Sequence, residues 1–350
     1  LRHQGAFDDA MALAFSARRA FAVVNDLYNE ANCLKLMGHI SSDRGAPRDG
    51  RAMVDEARTL MESIGNERGQ AQCEIVLGEL DYLLGDHATA VRELESAQTA
   101  LEREQDILGR GQCLILLALI LMMHGEDVRA RSYLIDARSG FERIGYRLGT
   151  AQCDVAIAHA DHRIGELESA RAQGQNALSS FRLLGTPRGQ AGSLRVMAMA
   201  ALDAGDLQDA ELKAVDALTT YTQMGDPWGI VESKLLITQV ALARGTPNAS
   251  TLLDGCDIET VQEKEPLQHW HLTRAWLAYR EGRYEEATVD LEAARDVYGD
   301  GSLADHAQQL FARMASMLWP EALRARVKDA ILPREMGQLA PTLQDVARSF

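Results

Sequence analysis

His159 and His162 stand three residues apart, so on a helix both imidazoles share one face and can reach one ligand. Asp203 can approach them from the next repeating unit. Two histidines and a carboxylate suit a metal ion, although no spacing here fixes a further ligand. Without metal, the pair offers partial protonation near neutral pH or contact with an acidic partner, and a plain surface position is the remaining reading. A second set is the cysteines. Cys33, Cys73, Cys113 and Cys153 follow at a constant step of 40 residues, and Ser193 and Ser233 continue the series. Equivalent positions on successive packed helices lie about 8–10 Å apart or more. A disulfide needs Cα atoms within about 7 Å, and no CxxC exists for zinc. These cysteines therefore read as small buried residues where helices meet, and free thiols suit a cytoplasmic protein.

Catalytic signatures are missing. The sequence has no GxxxxGK(S/T) phosphate loop, no GxGxxG after a strand pattern, no HExxH and no GxSxG. The expectation is a protein that is not an enzyme and has no cofactor or resident metal. The formal net charge of −15 argues against nucleic acid as the main ligand, because that binding relies on Lys and Arg displacing counterions. It also disfavours an anionic membrane surface. The longest apolar run, 113–123, has 11 residues, short of the roughly 20 a spanning helix needs. No signal-peptide pattern opens the chain, and its start on Leu1 in mid-repeat reads as a piece of a longer protein.

The elements that position these residues recur. Gly5, Gly45, Gly85, Gly125, Gly165, Gly205 and Gly245 are each 40 residues apart, as are Ala17, Ala57, Ala97, Ala137, Ala177 and Ala217. Apolar residues between them step by three and four, as in Val91, Leu94, Ala97 and Leu101. The pattern predicts leading helices over 30–43, 68–84, 108–124, 148–164, 188–204 and 228–244. Trailing helices are predicted over 5–24, 47–63, 87–104, 127–143, 167–183 and 207–223. Gly65, Gly145, Gly185 and Gly225 stand where a left-handed C-cap suits glycine. Asp86, Glu126, Glu166 and Asp206 place negative charge at helix starts. A large residue at the end of each trailing helix, such as Leu101, Phe141, Phe181 or Tyr221, is expected to fill the gap between units. The fold expected is all-α, a solenoid of antiparallel helix pairs.

The register breaks after Gly245, where 246–255 is too short for a full second helix and 256–266 is acidic. The phrase restarts around Trp276–Ala287, with Gly282 at the turn. We therefore divide the chain into an array over 1–255, of about six units plus a partial first one, and a continuous C-terminal part over 256–350. In the latter, 267–281 and 284–298 form another pair, 303–318 and 320–332 a closing pair, and 333–350 a tail.

This pattern resembles the tetratricopeptide repeat (TPR) superfamily. Leu77-Gly78 and Met37-Gly38 match its mid-helix Leu-Gly, and Gly85-Asp86 and Gly205-Asp206 its turn. Ala90, Ala130, Ala170 and Ala210 match its first small residue of the second helix, and Ala97, Ala137, Ala177 and Ala217 its second. The period is 40, where the commonest form has about 34. This longer form is similar to repeats of kinesin light chains and the LGN polarity adaptor, and to sensor regions of bacterial ATPase regulators and Ser/Thr kinases. The resemblance implies a right-handed superhelix whose leading helices line the concave side. It implies a scaffold or sensor that binds a peptide, a helix or a protein domain in that groove, with a flanking kinase, ATPase or regulatory domain. The alternative is a spacer or oligomerisation element with no groove ligand.

On that geometry Asn32, Gln72, Gln112 and Gln152 form an inward ladder of amides able to bond an extended backbone, or else a solvated polar stripe. Leu119 and Met122, with Ile115 and Met123, face the groove or are core; methionine suits varied apolar partners. Tyr82, His159, His162 and Met199 lie beside them. In the late unit, His269, Leu272, Trp276, Tyr279 and Arg280 are placed inward. Trp, Tyr and Arg anchor interfaces; the alternative for Trp276 is to cap the hydrophobic end of the array.

Overall fold

The chain reverses at every twentieth residue. The computed structural model describes residues 7–297 apart from 262. Backbone φ is positive at Asn25, Gly45, Gly65, Gly85, Gln105, Gly125, Gly145, Gly165, Gly185, Gly205, Gly225 and Gly245. A left-handed residue lets the following N–H groups bond back to the last carbonyls of a helix. At the fourth turn the Gly85 and Asp86 N–H groups donate to the carbonyls of Tyr82 and Asp81 at 2.9 and 2.8 Å. The next residue then starts the following helix. Asp26, Asn66, Asp86, Asp106, Asp206 and Asp226 each accept the N–H three residues on, as an N-cap should. Glu126 and Glu166 occupy the same position without that bond.

The helices between these turns are α1 (Phe7–Val23), α2 (Leu27–Asp43), α3 (Pro47–Ser63), α4 (Glu67–Leu83), α5 (His87–Arg103), α6 (Ile107–Met123), α7 (Asp127–Arg143) and α8 (Arg147–Ile164). They continue with α9 (Leu167–Leu184), α10 (Pro187–Asp203), α11 (Leu207–Met224) and α12 (Pro227–Arg244). Beyond the break in register come the six-residue α13 (Ala249–Asp254), a single 3-10 turn at Ile258–Thr260, α14 (Lys264–Arg280) and α15 (Tyr284–Asp296). No strand occurs among the described residues. The pair expected at 303–318 and 320–332 and the tail at 333–350 lie outside the described residues.

Even-numbered helices up to α14 are the leading ones. Each packs on its own hairpin partner and also on the next leading helix: α2 on α4, then α6, α8, α10, α12 and α14 in turn. Leading helices in mutual contact form the inner layer of a coil, with the trailing helices outside. The result is a right-handed TPR-like superhelix.

One joint is built five times. Met61, Leu101, Phe141, Phe181 and Tyr221 end their trailing helices and are buried. Each lies against a glycine in the first turn of the next leading helix: Gly69, Gly109, Gly149, Gly189 and Gly229. A Cβ on those glycines would fall 2.1–2.8 Å from the large side chain. Burying a side chain of this size is worth about 1.5–3 kcal/mol, and the missing Cβ lets the two helices close on it. The buried cysteines Cys73, Cys113 and Cys153 stand one turn further along α4, α6 and α8 as free thiols. Burial raises their pKa to about 11, 12 and 12, which keeps them unreactive.

The coil also touches itself. Met224 at the end of α11 packs in a cluster with Phe7, Ala10 and Ala14 of α1 and Met37 and Ile40 of α2. The turn at Gly45 abuts the Pro227 ring, which a Cβ would meet at 2.8 Å. Arg188 of α10 pairs with Asp43, 145 residues away, and its Nε lies 3.2 Å from Asp226. We call this contact the seam. At the other end Val297, just after α15, packs with Tyr82 on Met123 of α6.

Candidate functional site

The inner layer lines a half-open cavity of about 270 Å³. Every residue lining it lies on a leading helix, except Glu263, which directly precedes α14. One wall is apolar: Leu119, Met122 and Met123 of α6, Met199 of α10, and Tyr82 and Leu83 at the end of α4. The helical spacing of three and four puts Leu119, Met122 and Met123 on one face of an otherwise apolar helix. Tyr82 stacks on His87, with ring centroids 5.6 Å apart, and burial holds its hydroxyl well above the usual phenol pKa.

The histidines fill the next sector. His162 and Asp203 meet directly, Nε2 to Oδ2 at 2.7 Å. His159 keeps its imidazole neutral: burial, then the charges of Arg195, His162 and Arg163, push its pKa well below the ordinary value. No group of three or more His, Cys, Asp or Glu among the described residues has an arrangement that could hold a metal ion.

The remaining wall is charged. Arg163 donates to Asp127 at 2.5 Å and to the Met122 carbonyl at 2.6 Å. Arg188 brings the seam to the cavity edge beside Ser42. Arg195 reaches Glu232 at 3.3 Å, and its guanidinium lies 4.8 Å from the centre of the Trp228 ring. His269 bonds Glu232 at 2.9 Å. Burial opposes charge on His269, but the Glu232 carboxylate and its hydrogen bond prevail, so His269 titrates above its usual value. Glu232 is correspondingly held low against the effect of burial, by His269 and Arg195. Glu265, at the start of α14, is half-buried in the cavity wall. Burial first, and the Glu232 charge with it, raise its pKa.

Eight residues singled out in the sequence meet here: Tyr82, Leu119, Met122, Met123, His159, His162, Met199 and His269. The others do not line the cavity. Gln72 is half-buried and accepts a hydrogen bond from Lys35 at 2.8 Å, while Gln112 and Gln152 are exposed at the other end of their helices. Trp276 is core, packed with Val231, Leu235, Leu242 and Leu253. That cluster packs α14 against α12 and α13. Tyr279 is half-buried away from the cavity, and Arg280 is exposed beside the Gly245 turn.

Arg163, Arg188, Arg195, Trp228, Glu263 and Glu265 were not anticipated. Arg163 follows His159 by four residues and Arg195 precedes Met199 by four, so one helical turn along the expected face would have found both. Arg188 and Trp228 reach the cavity from the first turns of their helices, and no periodicity signals that.

No protein-family model matches this sequence, and no curated protein does. Solved structures do match. The chain is similar to a Rap protein complexed with Competence and Sporulation Factor, at a TM-score of 0.70 and 15% identity, covering 98% of this chain and 99% of that one. It is similar too to the Rap conjugation gene regulator of the plasmid pLS20 in complex with the Phr* peptide, at a TM-score of 0.64 and 16% identity, covering 85% and 78%. The fold is TPR-like. At such identities the likeness shows the fold alone, and it does not extend to the finer comparison with kinesin light chains or LGN.

Proposed function

We propose that this chain is a non-enzymatic binding module that takes a short peptide into the cavity of its inner layer. The observation that carries this is the convergence of leading helices on one half-open space lined in part by Met122, Met123 and Met199. Methionine adapts its shape to varied apolar partners, and the charged rim gives direction to a bound chain. The likeness to a Rap regulator solved in complex with a peptide supports the reading. On this view the chain is a cytoplasmic sensor or scaffold region of a larger bacterial signalling or regulatory protein, whose flanking kinase, ATPase or regulatory segment reads the occupied state.

The test is a calorimetric titration of short peptides against the wild-type chain, Leu119→Arg and Met122→Arg. Leu119 is half-buried and lines the cavity, so an arginine there fills the space. Binding should weaken about a hundredfold, equivalent to about 2.7 kcal/mol, while the circular dichroism spectrum is unchanged. Equal affinities for wild type and both variants would remove the cavity from the function.

A further inference from the structure

The polar groups facing the cavity are matched unevenly. Arg163 is bonded to a carboxylate and a carbonyl, and Arg188 bridges two aspartates. His269 has Glu232. Arg195 differs. It is only 8% exposed, yet its hydrogen bonds among the described residues use Nη1 alone, to Glu232 and to the Met199 sulfur at 3.7 Å. Its Nε–H is buried without an acceptor. A buried donor left unsatisfied costs about 1–3 kcal/mol. With Nη1 held by Glu232 and the plane held over Trp228, the edge left without an acceptor among the described residues is the one formed by Nε and Nη2. That edge presents two parallel N–H groups, the fork that grips a carboxylate with two bonds.

The surroundings fit such a ligand. A chain of net charge −15 has gathered three arginines around one small cavity. Glu265 shares that wall and makes no ion pair or hydrogen bond among the described residues. It is the charge that an incoming anion would oppose. The volume, about 270 Å³, is at the low end of the roughly 300–1,000 Å³ of small-molecule pockets. It admits the end of a peptide rather than a long stretch.

The geometry points to the free C-terminal carboxylate of an apolar peptide as the ligand group, held on the Nε/Nη2 edge of Arg195 with the preceding side chains on Met122, Met199 and Leu119. This rests on the peptide-binding reading above. Glu265 sets the threshold by repelling that carboxylate.

The experiment uses pools of N-acetylated tripeptides of Met, Leu, Phe and Trp, made with a free C-terminal carboxylate or with a C-terminal amide. A third pool carries an Asp side chain and a C-terminal amide. Retention on the immobilised chain is read by mass spectrometry and followed by calorimetry on retained members. The carboxylate pool should bind at least about tenfold better than the amide pool, as loss of a charge-assisted bond of about 1.5–3 kcal/mol implies. Arg195→Gln and Arg195→Lys should each erase that preference, because Lys keeps the charge and loses the fork. Glu265→Gln should strengthen carboxylate binding, an effect of opposite sign that no folding defect imitates. Equal binding of the first two pools overturns this inference and leaves the peptide reading standing. Preference for the Asp amide pool overturns the assignment to a chain end. A carboxylate preference that survives both Arg195 variants assigns the anion to another cation and overturns it as well. Retention of no pool removes the peptide reading together with it.

Discussion

The outer joints and the inner wall of this coil are built on the same period and differ in what they do with it. At the joints the period repeats chemistry: Met61, Leu101, Phe141, Phe181 and Tyr221 each press on a glycine eight residues later. On the inner wall it repeats position only. Leu119, His159 and Met199 are equivalent by the 40-residue step, as are Tyr82, Met122 and His162. Each unit must dock on its neighbour in the same way, so the joint has one solution. Nothing in the packing obliges the wall to repeat, so its variety reports on what the cavity holds.

Breaking a joint should have the largest effect. Gly229→Val puts a side chain where even a Cβ would lie 2.1 Å from the Tyr221 ring. We expect a loss of about 3 kcal/mol in urea unfolding, the upper end for overpacking. A change below about 0.5 kcal/mol would mean the joints yield, and the contrast with the wall would dissolve. Arg188→Ala comes next. It leaves Asp226, which is 1% exposed, facing only its own helix start. Because Arg188 is itself partly exposed, the loss should be about 1–2 kcal/mol rather than that of a fully buried pair. Hydrogen exchange should quicken in α2 and at the start of α12; unchanged protection there would show the seam to be incidental.

Gln105→Gly sharpens the comparison from the other side. Gln105 holds φ 53° in a series otherwise of glycine and one asparagine. Restoring glycine should stabilise the chain by about 1 kcal/mol, with peptide binding unmoved. The smallest effects belong to two cavity histidines and have opposite signs with pH. His159 has a lowered value in the fold, so below its ordinary range the unfolded chain binds the extra proton and stability falls. His269 has a raised value. Its contribution is complete below the unfolded pKa and disappears as pH rises through the folded one. Between pH 7.5 and pH 5.5, His159→Gln should therefore lose less stability than wild type, and His269→Gln more. Denaturant midpoints across that range check both; parallel curves would contradict the environments described.

The architecture was legible because helix period, turn glycine and capping aspartate all recur, and each has a local cause. Tyr82, Leu119, Met122, His159, His162 and Met199 were legible for the same reason, since their helix face follows from spacing. Gln72, Gln112 and Gln152 have the same spacing but sit near the helix starts, and which end of a leading helix meets the cavity depends on how tightly the coil winds. Arg188, Trp228 and Glu265 enter through that winding too. The tightness is set by contacts between residues far apart in sequence, such as Met224 with Met37, and no window of forty residues contains them. Trp276 was ambiguous because an aromatic at the end of an array has two apolar destinations.

An open solenoid can gain or lose a unit and merely become longer or shorter. This one cannot, because Asp43 must find Arg188 and Gly45 must find Pro227 after a set number of hairpins. Duplicating any unit between them would carry the two edges past each other and leave a gap where a wall now stands. The count of repeats between the first hairpin and α12 is therefore a dimension of the chamber, as fixed as the diameter of a hoop.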